Sequence, residues 1–231
     1  MKRRTFLMST AALAASPWAF PSASFANGNA RGGLSWPDFI EGMERLAAEH
    51  HQQRKSARQV QAEGIDFLKR LDVGSATFRD AVDQSYESGN RFWLWQRMAK
   101  QPKMLGGILT IDAEPVPLHD HPGAVGMVRI LSGAATVWQY DRVSPPDGKG
   151  LSVLKRTKKA VLKPGDIGVL GPHDGNIHAL QATTTNCRML DFFIPPYRRQ
   201  NRSWYMPQNE AWHEQKEIVC RVVPESEFTT T

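Results

Sequence analysis

His119 and His121 are the residues around which chemistry can be built. They flank Asp120 in Pro117-Leu118-His119-Asp120-His121-Pro122-Gly123. Side chains in a strand alternate faces, so residues i and i+2 point the same way. Two imidazoles aimed at one point suit a metal ion. Two surface histidines in a loop satisfy the same spacing, so the pair alone does not decide. A third histidine, His178, follows Gly171-Pro172-His173-Asp174-Gly175-Asn176-Ile177 much later in the chain. An HxH in an early strand, a glycine turn and a lone His in a late strand let distant strands of a small barrel converge on one ion.

The elements that must position these residues change character along the chain. Ser35 opens a helix, with Asp38 three residues on as an approximate capping box. Phe39, Ile40, Met43, Leu46 and Ala47 then form one apolar stripe at helical spacing. A second helix is predicted over Ala57 to Leu71, with Val60, Phe67, Leu68 and Leu71 inward. Ser75 caps a third, reaching Tyr86. All three read as packing elements, and His50-His51 as a helix end. After Gly89-Asn90 the segments become short and rich in Val, Ile and Leu. Strands are predicted over Phe92–Met98, Met104–Ile111, Val116–His119, Gly126–Leu131, Ala135–Val143, Leu151–Thr157, Ala160–Leu162, Ile167–Leu170, His178–Thr183, Arg188–Ile194 and Glu217–Val222. Ser132-Gly133, Pro145-Pro146-Asp147-Gly148, Pro164-Gly165-Asp166 and Gly171-Pro172 supply the turns. Short strands so punctuated indicate a sandwich or barrel. The tail after Pro195-Pro196 reads as an irregular wrap.

The 231 residues are enough for one sizeable domain with a full core. With 41% hydrophobic and 23% charged residues, the composition is that of a globular protein. Half of the formal net charge of +6 lies in Lys2, Arg3 and Arg4. What remains is too small to argue for nucleic acid, and the basic run Lys155-Arg156-Thr157-Lys158-Lys159 reads as a solvated hairpin. The basic start, the weakly apolar Met8–Ala15 and the small residues of Ser24-Phe25-Ala26 follow the order of a signal peptide. Adjacent arginines before Thr5-Phe6-Leu7 resemble the bacterial twin-arginine signal. The apolar run is too short and alanine-rich for a stable membrane span. The expected organisation is therefore a signal over 1–26, a helical extension over 27–89, and a β domain with a C-terminal wrap over 90–231, located in the periplasm or otherwise exported. Cys187 and Cys220 are the only cysteines. They can pair in an oxidising compartment but make no disulfide framework.

The motifs resemble those of the cupins. The first cupin motif carries HxH, usually a Glu, then a Gly; the second carries Pro and Gly before a single His. Gly133 and Pro164-Gly165 fit, whereas the place of the Glu falls on Val125 to Met127. Three histidines without the carboxylate point, within cupins, to the thiol dioxygenases. Pro-Leu-His-Asp-His-Pro-Gly at 117–123, Gly-Asn-Ile-His at 175–178, and Leu-Asp followed by Pro-Pro-Tyr at 190–197 resemble the cysteamine dioxygenase and plant cysteine oxidase family, over roughly residues 90 to 205.

That resemblance implies a mainly β cupin, a double-stranded β-helix or jelly-roll barrel, with an N-terminal helical segment. It implies Fe(II) on His119, His121 and His178. It also implies addition of O2 to the sulfur of a small aminothiol or an N-terminal cysteine, giving a sulfinate. Three neutral ligands leave the full +2 charge at the site, which favours a thiolate. The resemblance places Asp191 near the ligands, as acceptor for the second N–H of a ligand His, and Tyr197 near the substrate. By strand alternation Cys187, Met189, Asp191 and Phe193 share a face. Cys187, Arg129, His173 and Asp174 are further pocket candidates: Cys187 reads as a buried apolar thiol rather than a nucleophile, Arg129 either clamps a carboxylate or, by strand parity, faces solvent, and the last two line the mouth. The partners are O2 and a small thiol, with no nucleic acid and no membrane span after signal removal. Two other readings satisfy the same residues: a periplasmic metal- or ligand-binding cupin without turnover, and a cupin dioxygenase with a non-thiol substrate.

Overall fold

A computed structural model describes residues 33–89, 91–92, 94–112, 115–196 and 201–228. Three helices come first: α1 (Trp36–His51), α2 (Ala57–Arg70) and α3 (Ala76–Glu87). Each starts where a serine hydroxyl accepts from a backbone N–H three residues on: Ser35 from Asp38, Ser56 from Gln59, Ser75 from Phe78. Such a cap satisfies an otherwise orphaned donor and contributes about 1 kcal/mol. The α1 stripe of Phe39, Met43, Leu46 and Ala47 is buried, as its spacing requires.

Twelve strands follow among the described residues: β1 (Arg91–Phe92), β2 (Trp95–Gln101), β3 (Met104–Ile111), β4 (Val116–His119), β5 (Val125–Ser132), β6 (Ala135–Arg142), β7 (Leu151–Leu162), β8 (Ile167–Leu170), β9 (Ile177–Ala182), β10 (Cys187–Ile194), β11 (Ser203–Pro207) and β12 (Glu217–Pro224). The described residues end in a one-turn helix, α4 (Glu225–Phe228). One sheet has the order β1-β2-β3-β10-β5-β8. The other six strands close on themselves in the order β4-β9-β6-β7-β12-β11, and the pairing of Trp204 with His119 completes the ring. Neighbouring strands are antiparallel throughout, and crossovers rather than sequence order bring β10 between β3 and β5. The molecule is thus the mainly β, double-stranded β-helix of a cupin.

Strand alternation divides the core. On β10, Leu190, Phe192 and Ile194 turn outward and bury α1 to α3 against the first sheet, together with Met104, Ile108 and Met127. Gly64 of α2 lies directly over the Met127 side chain, so α2 approaches the sheet as closely as a missing Cβ allows. Cys187 and Met189 turn inward, joining Ile111, Val116, Ile130 and Leu180. A third cluster of Leu118, Tyr140, Leu154, Tyr205 and Cys220 covers the far face of the second sheet. The two cysteines are free and sit in different clusters, so they are not a pair.

Three elements depart from expectation. The basic run 155–159 is no hairpin: β7 continues through it, paired with β6 and β12. The run holds no Gly, Pro, Asn or Asp to turn the chain, and its lysines are satisfied by facing solvent. The predicted strand 92–98 is divided into β1 and β2. The tail predicted as an irregular wrap supplies β11, which the pattern of Trp204 and Tyr205 alone did not announce. No helix among the described residues is long and apolar enough to cross a membrane.

Candidate metal centre

The two early histidines reach the same place by different means. β4 ends at His119, so His121 is not its strand mate, and simple alternation does not explain the pair. Within β4, Val116 and His119 both face the interior cavity, while Leu118 packs on the outside against Tyr205. That spacing breaks the period of two, and the register against β9 shifts between Val116 and His119. A proline at 117, with no N–H for the ladder, accompanies the irregularity.

His121 stands in the turn after the strand. Its carbonyl accepts from Ala124 N–H at 3.1 Å, and Gly123 takes φ +75° to let the chain reverse. Asn176, one residue before β9, holds the same backbone: His121 N–H donates to Asn176 Oδ1 at 2.6 Å, and Asn176 Nδ2 donates to His121 O at 3.1 Å. Asp120 turns the opposite way. Its carboxylate accepts from Ser203 N–H at 2.7 Å and from Tyr205 Oη at 2.9 Å, anchoring the HxH to β11.

His178 arrives on β9 and pairs directly across from His119. The ring Nδ1 of His119 lies 2.8 Å from Pro117 O, and that of His178 lies 2.9 Å from Asn176 O. Backbone carbonyls only accept, so these Nδ1 atoms carry protons and the Nε2 lone pairs face inward. His119 Nε2 and His121 Nε2 are 3.0 Å apart, and one nitrogen from each of the three rings lies within 4.8 Å of the others. All three are buried, with His119 only 4% exposed. Burial holds His119 and His121 well below their ordinary range, helped by neighbouring histidines and by Arg202, and lowers His178 to about 4. The rings are therefore neutral, and their lone pairs converge. This donor set fits a divalent transition metal. No carboxylate joins it from the first motif: Val125 packs under the helices, and Gly126 lies against Leu170.

The triad opens into a cavity of ≈ 340 Å³ between the two sheets. Leu105, Val128, Leu170 and Phe193 form apolar walls, and Asp191 and Arg202 stand among them. Asp191 pairs across to Gly107 on β3 and Val128 on β5. Burial pushes its carboxyl up to about 7, opposed by the Trp95 indole and the Arg202 charge. It is not the acceptor for the ring N–H of His119 or His178, because backbone carbonyls take both.

The other expected pocket residues lie elsewhere. Cys187 shares the inward face of β10 with Asp191 but sits farther along the strand, in the apolar plug with Ile111 and Met189. Arg129 is on the helix side of β5, where its Nη1 donates to Leu68 O at 2.5 Å and Leu71 O at 2.9 Å, tying off the end of α2. It clamps carbonyls rather than a ligand. His173 and Asp174 are exposed in the turn before β9 and do not line the cavity. Tyr197 lies outside the described residues. Arg202 and Asn176 are the residues that motif reasoning passed over. Asn176 was legible as part of Gly-Asn-Ile-His. Arg202 carries no local signal beyond preceding β11.

The family model PCO_ADO matches residues 107–221. The 2-aminoethanethiol dioxygenase of Mus musculus is 28% identical over 113 residues, covering 40% of this chain and 44% of that protein. Plant cysteine oxidase 1 of Arabidopsis thaliana is 33% identical over 86 residues, covering 36% of this chain and 29% of that protein. The chain thus spans less than half the length of these curated relatives. Among solved structures, a cupin superfamily protein from Desulfitobacterium hafniense is 20% identical with a TM-score of 0.33, covering 44% of this chain and 76% of that one. KdgF from Halomonas sp. is 18% identical with a TM-score of 0.34, over the same shares. Through residues 107–221, which hold all three histidines, Asn176, Asp191 and Arg202, the chain belongs to the PCO_ADO family.

Proposed function

We propose that the protein is an iron(II)-dependent thiol dioxygenase that converts a thiol and O2 to a sulfinate and a proton. The observation that carries this reading is the convergence of three neutral imidazoles, with no carboxylate ligand, on one end of an apolar-walled cavity. His119, His121 and His178 hold the metal. When bound, iron(II) supplies Lewis acidity towards the thiol and redox reactivity towards O2. The chain does the rest. Pro117 O and Asn176 O fix the tautomers of His119 and His178. Asn176 sets the third ligand by holding the His121 backbone. Leu105, Val128, Leu170 and Phe193 keep water from the sulfur. Asp191, with its carboxyl raised to about 7, takes the thiol proton on a carboxylate oxygen. Sulfur rises from −2 to +2 as both oxygen atoms add, so all four electrons come from the thiol and no external reductant enters.

Export through the twin-arginine signal belongs to the same proposal. That route carries folded proteins, so the metal site can be loaded before export.

The test is thiol-dependent O2 uptake by the iron-loaded protein, with 18O2 labelling of the product. Two labelled oxygens on sulfur are expected. Stoichiometric zinc in protein isolated from its native compartment, with no thiol-dependent O2 uptake after iron loading, would instead establish a metal-binding cupin without turnover.

A further inference from the structure

Gln139 is the one carboxamide in the cavity wall among the described residues. Val137 and Gln139 share the inward face of β6, while Trp138 between them packs in the outer cluster. Gln139 pairs across to His178, and His178 pairs on its other side to His119, so the three stand in one row over β6, β9 and β4. Residues facing each other across antiparallel strands have Cβ atoms roughly 4.5–5.5 Å apart. The amide therefore lies beside the His178 ring, within reach of a short chain that leaves a sulfur held at the metal centre.

The two ends of this amide differ. Nε2 donates to Val169 O at 2.6 Å and to Gly175 O at 3.3 Å, tying β6 to β8 of the other sheet and to the turn before β9. Both partners are carbonyls, which only accept, so reversing the amide would set oxygen against oxygen. Oε1 is thereby fixed in place, and it accepts no hydrogen bond among the described residues. Although Gln139 is only 9% exposed, this oxygen is not among the atoms sealed from solvent. The space it opens to is the cavity. An acceptor held in this way selects for a ligand that donates to it, because the wrong ligand leaves it unpaired.

We propose that Gln139 is a specificity-determining residue, whose Oε1 receives an N–H of the substrate's amino group while the sulfur is held at His119, His121 and His178. This rests on the dioxygenase reading and assigns a contact for the amine end of its substrate. Asp191 stands on β10 of the other sheet, so Gln139 contributes its acceptor from the opposite wall. A quaternary ammonium of the same charge has no N–H to give, and a simple alkyl thiol has neither charge nor donor.

The test loads the full chain with cobalt(II) and, without O2, reads the absorption of cobalt-bound thiolate during titration. Cysteamine is compared with thiocholine, which carries the same charge and no N–H. We expect cysteamine to bind the unaltered chain at least tenfold tighter, since a hydrogen bond from a charged donor is worth roughly that much or more. Gln139→Met keeps the length and removes the acceptor, and should bring the two affinities level. Ethanethiol should bind both chains alike, which separates a lost amine contact from a loosened tie between the sheets. In the iron-loaded chain the same substitution should raise KM for cysteamine about tenfold and leave kcat near its original value. Equal binding of cysteamine and thiocholine by the unaltered chain overturns the assignment without any variant having to fold. A preference that survives Gln139→Met overturns it too. If the preference is present and no thiol is oxidised with iron, the dioxygenase falls and the amine contact stands. If cysteamine is oxidised and the preference is missing, Gln139 falls and the dioxygenase stands.

Discussion

Asn176 grips the backbone of His121 from both sides, accepting from its N–H at 2.6 Å and donating to its carbonyl at 3.1 Å. Both residues are buried, and Asn176 Nδ2 also donates to Gly171 O at 2.7 Å. One amide thereby joins the early and the late histidine motif. Asn176→Ala leaves the His121 amide and carbonyl without these partners in a dry interior. We expect it to cost about 1–3 kcal/mol in urea unfolding. Loosening a ligand through its support also typically costs roughly 10–100-fold in metal affinity, which a metal titration will read. A stable variant with unchanged affinity would show that the turn alone sets His121.

His178→Ala removes one of three nitrogen donors from the centre. Metal content after reconstitution should fall from stoichiometric to near zero, with loss of thiol-dependent O2 uptake. Because the residue is 7% exposed and lines a cavity, the fold should persist, as circular dichroism will show. Retained metal at full stoichiometry would remove the three-histidine centre.

Gly107 stands opposite Asp191 on the neighbouring strand. A Cβ there would meet the Trp95 ring and lie 2.5 Å from Gln96 O. The carbonyl belongs to the backbone of β2 and cannot swing aside. Gly107→Ala should therefore destabilise by about 1–3 kcal/mol, lowering Tm by roughly 2–4 °C per kcal/mol for a chain of this size. Since Trp95 lines the cavity, its fluorescence should shift in the same variant.

The two cysteines should be inert in the folded protein. Burial raises Cys187 to about 11 and Cys220 to about 12. Both thiols are thus protonated at pH 8, and the thiolate is the reacting form. Alkylation by iodoacetamide at that pH should be far slower in the native chain than in urea, where the ordinary thiol pKa returns. The difference should narrow as pH climbs towards 11. Rapid native labelling of Cys187 would mean that its apolar plug opens.

Export can be tested by exchanging Arg3 and Arg4 for lysine. The twin-arginine proposal expects the variant to accumulate uncleaved in the cytoplasm while the unaltered chain is recovered, shortened, outside it. Equal distribution of the two would set the signal aside.

The residue types and their order determined a good deal on their own. Local rules were enough for the helices, because a serine cap and a 3.6-residue apolar stripe are properties of a single segment. Most strands were legible for the same reason. The histidines were legible as chemistry because few other uses explain two imidazoles at i and i+2 with a third behind a glycine turn. Tertiary structure decided what local pattern cannot encode. His121 lies beyond its strand, and its aim comes from Asn176, 55 positions away. Cys187 and Asp191 share a face, yet only one reaches the cavity, since alternation specifies side but not depth. Arg129 and Arg202 are indistinguishable as arginines. One ends on helix carbonyls and the other beside the histidines because crossovers place β5 under α2 and β11 against β4. Long-range pairing, set by which apolar faces bury together, is what turns one charge into a structural tie and the other into part of the site.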